Sequence, residues 1–277
     1  MKNWKYPPQN PIVAKYIDCY WLLEKEPEDV GNNHPKLNPD PAAHLILATD
    51  DYRYQYTQGE SHQQGSGSHW IFPHKKTFIM DHSAPFRVLG IKFHVGALYS
   101  INHALVDLQL DKVTQTNFNN LVVPDSLDVM DLLAQTLVSP EQVRDKLDRL
   151  LLAFLAGCEE DKHSKLVRKI LTAVADTPIA KIGETLHCSQ RTAERSFLKV
   201  TQLTIKQVQS MNRLEQILNY LYKQKSQNIN WANVANRFNF SDQPHLIRYL
   251  KTTIGSTPTK YQKQRDLTID VYGNFES

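Results

Sequence analysis

The sequence predicts an α+β protein of two domains, with a mainly β N-terminal part and an all-α C-terminal part. Short apolar runs separated by turn formers fill residues 1 to about 115, whereas apolar residues recur every three or four positions after residue 125. The charge divides in the same way. Residues 161–265 hold 18 Lys and Arg against 6 Asp and Glu, a net charge of +12 in a chain whose total is +3. The basic part is therefore expected to meet a polyanion.

The β-rich part, residues 1–120, contains five apolar runs of strand length bounded by Gly, Asn, Asp or Pro. Strands at this spacing predict a sandwich or a small barrel. The runs are Ile17–Leu23, His44–Ala48, Tyr52–Tyr56, Trp70–Phe72 and Val88–Phe93.

Residues 121–160 predict a pair of linker or dimerisation helices. Ser139 is the expected N-cap of the second helix, and Pro140 suits its first turn. The apolar surface suffices either to pack on the β-rich part or to form a dimer seam, and the sequence leaves both open. The inward positions are expected at Leu127, Met130, Leu133, Leu137, Val143, Leu147, Leu150, Leu151 and Phe154.

Residues 161–265 predict helices that each begin at a capping residue. A helix, a tight turn and a capped helix occur in this order twice, at 179–200 and at 231–252, and a long helix joins the two helix-turn-helix units. A last short helix is expected near 259–264, and residues 266–277 form a C-terminal tail. The expected N-caps are Ser164, Thr177, Ser189, Asn230 and Ser241, and the long helix is expected to face Ile205, Val208, Met211, Leu214, Leu218 and Leu221 inward.

Several classes of protein are disfavoured by the sequence. The longest apolar runs are far shorter than the roughly 20 residues of a membrane span, and no export signal opens the chain, so a cytoplasmic protein without a membrane partner is expected. Cys19, Cys158 and Cys188 are far apart, as in reduced cytosolic proteins. No zinc-ligand spacing and no glycine-rich phosphate loop is present, so no metal and no cofactor is expected.

One stretch of the C-terminal part resembles the signature of the AraC/XylS regulators. It is Phe240-Ser-Asp-Gln-Pro-His-Leu-Ile-Arg-Tyr-Leu-Lys251, followed by Gly255-Ser-Thr-Pro258 and Tyr261. Ser189, Arg195, Phe197, Lys199 and the pair Arg213-Leu214 also stand where that family has them. The resemblance covers about 164–265. It implies a bacterial protein whose two helix-turn-helix units read adjacent major-groove segments from one face of double-stranded DNA.

The resemblance assigns candidate DNA-binding residues to the later helix of each unit, called here the reading helix. The first reading helix offers Arg191, Glu194 and Arg195 to base edges, and the second offers Gln243, His245, Ile247 and Arg248. Lys199, Lys206 and Lys251 are expected phosphate contacts, which position the protein without specifying sequence.

Four positions depart from the family's usual residues. Gln202 and Asn239 stand where Gly is frequent, Ile205 where Pro is frequent, and Leu250 where Phe is frequent. Asn tolerates the left-handed backbone conformation, whereas Gln202 bears on how the first reading helix ends.

For the N-terminal part, the resemblance implies a sensor or dimerisation domain, frequently a cupin-like β-barrel. The segments 39–47 and 88–98 resemble parts of such sensor domains, and neither identifies an effector-binding residue. Eight of the eleven histidines lie here without the ligand spacing of a metal-binding cupin. Trp21, Tyr54, Trp70, Phe72 and Phe93 are expected as core, with the lining of an apolar pocket as the alternative.

The leading hypothesis is a sequence-specific transcription regulator, with a small-molecule effector or self-association acting through the N-terminal part. A variant controlled by abundance or by a protein partner stays open. RNA polymerase is an expected partner if the output is activation. The alternative is an enzyme with a β-barrel catalytic domain fused to a DNA-targeting module. That class needs a reactive cysteine, and neither Cys19 in an apolar strand nor Cys188 in a turn suits the role, so no enzyme is expected.

Overall fold

The strands of the N-terminal part are short and pair antiparallel. The computed structural model describes residues 2–30, 32–101, 109–117, 128–223, 229–255 and 257, with the backbone alone at 222 and 223. The strands are β1 (Lys2–Tyr6), β2 (Ile17–Lys25), β3 (Lys36–Leu37), β4 (His44–Leu47), β5 (Arg53–Gln58), β6 (Ser61–Ser66), β7 (His69–Ile71), β8 (Phe78–Met80), β9 (Phe86–Phe93) and β10 (Val113–Gln115).

These strands form two sheets. One has the order β1-β2-β9-β4-β7-β10 and the other the order β3-β8-β5-β6. Each of the five predicted runs overlaps a strand, and the mainly β character of this part is confirmed. The closer likeness to a cupin stays a prediction.

The strand β2 is buried on both faces. Cys19, Trp21 and Leu23 lie in the core that also holds Tyr54 and Phe78 of the second sheet. Tyr20, on the opposite face, belongs to a different core cluster. A strand covered on both sides has no solvent face to keep polar, which explains why residues 17–23 read as a nearly continuous apolar run.

The opposite face of the first sheet is covered by helices. A short helix, α1 (Ala97–Ser100), follows β9, and two further helices are α2 (Val129–Gln135) and α3 (Pro140–Leu155). α3 buries Val143, Leu147 and Leu151 against the first sheet. The sequence left open whether this helix packs on the β-rich part or forms a dimer seam. In the structure, α3 packs on the β domain.

A buried carboxylate fixes α3 in place. The side chain of Asp148 accepts hydrogen bonds from the Tyr20 hydroxyl at 2.7 Å and from the backbone N–H groups of Gln9 at 2.7 Å and Asn10 at 2.8 Å. A buried carboxylate with three donors is satisfied rather than costly. Asp148 thus joins α3 to β2 and to the segment after β1.

The inward face predicted for the first linker helix was right at Leu133 and wrong at Met130 and Leu137. Met130 is 61% exposed and Leu137 is 40% exposed, whereas Leu132, Leu133 and Thr136 are buried. Leu127 lies outside the described residues. In α3, Pro140 begins the helix as predicted, but the Ser139 side chain makes no capping hydrogen bond.

The C-terminal part is all-α, as predicted. No described helix combines the length and the apolarity that a membrane span needs. The predicted short helix near 259–264 and the tail at 266–277 lie outside the described residues. The helices are α4 (Lys162–Ala173), α5 (Ile182–Thr185) after a 3₁₀ turn at Ile179–Lys181, α6 (Gln190–Thr201), α7 (Ile205–Lys223), α8 (Trp231–Arg237) and α9 (Gln243–Ile254).

Two glycines of the β domain make room for aromatic rings on the neighbouring strand. Gly90 of β9 pairs with Trp21 of β2, and a Cβ at position 90 would overlap the indole ring. Gly65 of β6 pairs with Tyr54 of β5, and a Cβ there would overlap the phenol. Both rings therefore lie flat across a strand that carries no side chain at that point.

Gly90→Ala is expected to destabilise the protein by about 1–3 kcal/mol, because Trp21 has no room to move in a close-packed core. The free energy of unfolding from urea titration measures this. Gly157→Ala is the matched control, since a Cβ there meets nothing within 4 Å. Equal stability of the two variants would contradict the packing described.

Candidate nucleic-acid interface

The two helix-turn-helix units have separate cores on opposite ends of α7. Ile205, Val208 and Met211 pack with α4, α5 and α6, whereas Leu214, Leu218 and Leu221 pack with α8 and α9. All six residues face inward as predicted. Each unit is thereby built on its own half of one long helix, so α7 sets the spacing of the units.

The turn has the same hydrogen bonds in both units. The N–H of Cys188 donates to the carbonyl of Gly183 at 2.9 Å, and the N–H of Phe240 donates to the carbonyl of Ala235 at 2.9 Å. The residue before each donor is left-handed, with φ of 53° at His187 and 57° at Asn239. The two units are therefore an internal repeat in backbone geometry.

The turn requires a small residue at the helix that braces it. A Cβ at Gly183 would lie 2.7 Å from the backbone N of Gln190 and 2.8 Å from the carbonyl O of Cys188. Ala235 holds the corresponding place in the second unit and is 1% exposed. Sequence reasoning missed Gly183; a glycine six residues before the predicted cap Ser189 was the available signal.

The reading helices begin at different residue types. Ser189 caps α6 by accepting a hydrogen bond from the N–H of Thr192 at 3.1 Å, as predicted. The second prediction was wrong by one residue: Asp242, not Ser241, caps α9, accepting from the N–H of His245 at 2.6 Å. An ionised carboxylate is the stronger acceptor at a helix N-terminus, because the helix dipole favours negative charge there.

Three further helix starts test the predicted caps. Ser164 was predicted to cap α4, and this was wrong. The Asp161 carboxylate caps the helix by accepting hydrogen bonds from the backbone N–H groups of His163 and Ser164, both at 2.8 Å. Asn230 caps α8 as predicted, accepting from the N–H of Asn233 at 3.1 Å. The prediction of Thr177 as an N-cap was wrong, because Pro178 stands at the start of the 3₁₀ turn and no side chain caps it.

Both reading helices end at a left-handed residue. Gln202 has φ of 57° and Gly255 has φ of 65°. The N–H of Gln202 donates to the carbonyl of Leu198 at 2.9 Å, and that of Gly255 to the carbonyl of Lys251 at 3.1 Å. Gln202 therefore ends its helix in the same left-handed conformation as Gly255, although this conformation costs a residue with a side chain more free energy than it costs glycine.

Counting from the caps places two arginines at equivalent positions. Arg195 lies six residues after Ser189, and Arg248 lies six residues after Asp242. Both side chains are exposed, and neither forms a hydrogen bond or an ion pair with a described residue. Arg191 and Gln243 are exposed near the starts of the same helices. All four side chains are therefore exposed to solvent on the reading helices.

Other predicted contacts already have partners within the chain. Glu194 accepts from the Gln190 amide at 2.8 Å, and the His245 ring lies 3.2 Å from the Ser241 hydroxyl. Ile247 is half-buried.

The two predicted phosphate contacts at the ends of the reading helices differ in position. Lys199 lies ten residues after its cap and Lys251 nine residues after its cap. One residue rotates a side chain by about 100° around a helix. Both lysines are exposed, but the Lys199 ammonium lies over the ring of Tyr99 in the β domain, 5.6 Å from its centre.

The thiol on which an enzyme would depend is unsuited to chemistry. Burial raises the pKa of Cys19 to about 12, so the nucleophilic thiolate is scarce at neutral pH. Among the described residues, no three His, Cys, Asp or Glu side chains are grouped as metal ligands.

Ser189→Ala is expected to cost about 1 kcal/mol of unfolding free energy, because the N–H of Thr192 loses its acceptor. Asp242→Ala is expected to cost a similar amount at α9. Urea unfolding measures both. Ser241→Ala is the control, since the only side chains that its hydroxyl meets among the described residues are those of Asp242 and His245. A larger loss at position 241 than at position 242 would contradict the caps described.

Comparison with known proteins adds two domain matches. A helix-turn-helix domain family matches residues 182–264, and a domain of unknown function (DUF6597) matches residues 5–116. No curated protein matches the chain. ToxT from Vibrio cholerae O395 is similar at 9% identity and a TM-score of 0.48 over 89% of this chain and 96% of that one.

Two further solved structures are similar to the C-terminal part. The C-terminal domain of AraT, a response regulator from Geobacillus stearothermophilus, has 17% identity and a TM-score of 0.34, covering 42% of this chain and 97% of that one. A DNA-binding transcriptional dual regulator from Escherichia coli K-12 has 18% identity and a TM-score of 0.31, covering 39% and 94%. The family match shows that the chain carries a helix-turn-helix domain at residues 182–264, after a β-rich domain.

Proposed function

We propose that this protein binds a specific DNA site through α6 and α9 and regulates transcription in the bacterial cytoplasm. The observation that carries the proposal is the equivalent placement of Arg195 and Arg248, both exposed and without a partner among the described residues. A guanidinium at a major-groove position can donate two hydrogen bonds to guanine. The net charge of +12 over residues 161–265 supplies the attraction to the phosphate backbone.

The remaining candidates receive different roles in this proposal. Arg191 and Gln243 contact base edges near the start of each reading helix. Lys251 contacts a phosphate, and Lys206, exposed at the start of α7, is a second phosphate contact. Glu194 and His245 act only if they exchange their present partners for bases. Lys199 joins the DNA-binding domain to the β domain through Tyr99.

The β domain controls DNA binding in this proposal because it touches both reading helices at their C-terminal ends. Lys36 donates to the carbonyl of Ile254 at 2.9 Å, and Thr77 donates to the carbonyl of Thr253 at 3.1 Å. A small-molecule effector or self-association through the β domain would act by favouring one arrangement of the reading helices. RNA polymerase is a further partner if the output is activation.

The class of function is tested by selecting bound sites from random double-stranded DNA with the full-length protein. A discrete motif with two half-sites about one helical turn apart is the expected result. Binding without sequence preference would contradict the proposal.

Arg248→Ala is expected to lose about 1–3 kcal/mol of affinity for the selected site and to relax preference at one base pair. Fluorescence anisotropy with the selected duplex and with single-base variants measures this. Arg149→Ala, an exposed arginine of α3, is the matched control and is expected to keep wild-type affinity. An undiminished affinity of the Arg248 variant would remove it from the interface.

Lys251→Ala is expected to weaken binding to the selected site and to random DNA by the same factor, because a phosphate contact carries no sequence information. The slope of log K against log salt concentration is expected to fall in magnitude by about 1. Anisotropy titrations at several salt concentrations measure both. A loss confined to the selected site would assign Lys251 to a base instead.

A further inference from the structure

A cleft between the β domain and the DNA-binding domain encloses a cavity of about 510 Å³. Its wall from the β domain includes Val95 and Ala97, and its wall from the DNA-binding domain includes Val167, Leu171 and Val200. Cavities of this size hold small organic ligands and are usually lined by apolar side chains with a few polar groups.

The polar groups of this cavity lie together on one side. The Glu160 carboxylate is 3.2 Å from the Lys15 ammonium and 3.2 Å from the Arg168 guanidinium. Burial alone would raise the pKa of Glu160, but the hydrogen bonds from Lys15 and Arg168 outweigh it and lower the pKa, so the group is ionised at neutral pH. Two cations thus share one carboxylate, and one positive charge is left over.

The two cations come from different domains. Lys15 lies between β1 and β2 of the β domain, at the end of a 3₁₀ turn (Val13–Lys15). Arg168 lies on α4 of the DNA-binding domain. The Lys15 side chain is 38% exposed and the Arg168 side chain is 62% exposed. Each cation can therefore contact a ligand and still keep its ion pair with Glu160. An anion bound here would touch both domains at once.

We propose that this cleft is the effector site, and that its ligand is a small organic anion with an apolar body. The proposal rests on the proposed function, because it names the place and the chemical class of the effector that acts on DNA binding. The apolar body lies against Val95, Val167 and Leu171, and the anionic group lies between Lys15 and Arg168.

The space between the two sheets of the β domain is occupied by the protein's own side chains. Trp21, Tyr56 and Phe78 are each at most 2% exposed and lie in one core cluster. The Tyr54 ring stacks on His69 with their centres 3.9 Å apart. Trp21, Tyr54, Trp70, Phe72 and Phe93 are buried in the two core clusters, as expected, and do not line a pocket between the sheets. The interdomain cleft therefore offers the space for a ligand.

The cleft adjoins the contact between the β domain and the first reading helix. Gly96, with φ of 80°, lets the backbone pass so close to α6 that a Cβ there would lie 2.8 Å from Val200. Tyr99 donates from its hydroxyl to Asp161, the cap of α4, at 3.0 Å, and its ring lies under Lys199. A ligand bound beside Gly96 and Val200 would therefore displace these contacts between the β domain and α6.

The second reading helix is held elsewhere, by Lys36 and Thr77. A ligand in the cleft therefore changes the contacts between the β domain and α6 and leaves those between the β domain and α9 unchanged. Since DNA binding needs both reading helices in a fixed relation, such a change alters affinity for a two-part site.

The test uses the full-length protein and the fluorescent probe 8-anilinonaphthalene-1-sulfonate, an apolar body with one anionic group. Arg168→Gln is expected to weaken probe binding about two- to fivefold, the worth of one partly exposed ion pair. Lys165→Gln, an exposed residue of α4 outside the cavity lining, is the matched control and is expected to bind like wild type.

A second variant tests the cavity itself. Thr172→Phe fills the cleft from an exposed position on its lining and is expected to abolish probe binding, whereas Ala175→Phe, exposed outside the lining, is not. Unchanged probe binding in both Arg168→Gln and Thr172→Phe would overturn the site.

The same titrations are repeated with the selected DNA duplex to separate the two proposals. A change in DNA affinity on saturation with the probe, absent in Thr172→Phe, is the expected result. Probe binding at the cleft with unaltered DNA affinity would overturn its role as the effector site. A protein that binds the probe at the cleft but has no preferred DNA sequence would contradict the proposed function and leave the cavity assignment standing.

Discussion

The turn between the two helices of each unit is the constraint on which the DNA-binding part depends. The reading helix can approach its bracing helix only because Gly183 and Ala235 present little or no side chain at the crossing. The left-handed residue and the hydrogen bond from position 188 or 240 then fix the angle at which the chain turns. With that angle fixed in both units, a cap-to-arginine distance of six residues places Arg195 and Arg248 alike on their helices.

The sequence was informative wherever one periodicity governed a segment. The strand runs, the inward face of α7 and the caps at Ser189 and Asn230 followed from local pattern alone. It misled where two adjacent residues could serve the same role. Ser241 and Asp242 are both residue types that favour the N-cap position. Asp242 is the cap in the structure, because its carboxylate accepts the hydrogen bond from the N–H of His245. In α2, Leu133 is buried as predicted, but its neighbour Leu132 is buried as well and Met130 is exposed.

Contacts between distant parts of the chain left no comparable trace in the sequence. Nothing local marks Asp148 as the acceptor for Tyr20, because the two are joined only once α3 lies on the first sheet. The same is true of Lys199. Its place in a family signature predicts a phosphate contact, whereas its position, one residue further round the helix than Lys251, turns it toward Tyr99. The sequence gives the residue type at each helix position, whereas packing between domains sets the direction of a side chain such as that of Lys199.

The β domain contacts the DNA-binding domain at points that matter for reading. It meets α6 through Gly96 and Tyr99 and α9 through Lys36 and Thr77, near the C-terminal end of each helix and away from the first turns that would enter the groove. A domain attached in this way leaves the reading faces exposed and still sets the relation between them. Coupling between the cleft and DNA then needs no rearrangement inside either unit. A shift of one unit against the other, across contacts made by a few polar groups, is enough, because a DNA site of two parts is sensitive to the distance between the two helices that read it.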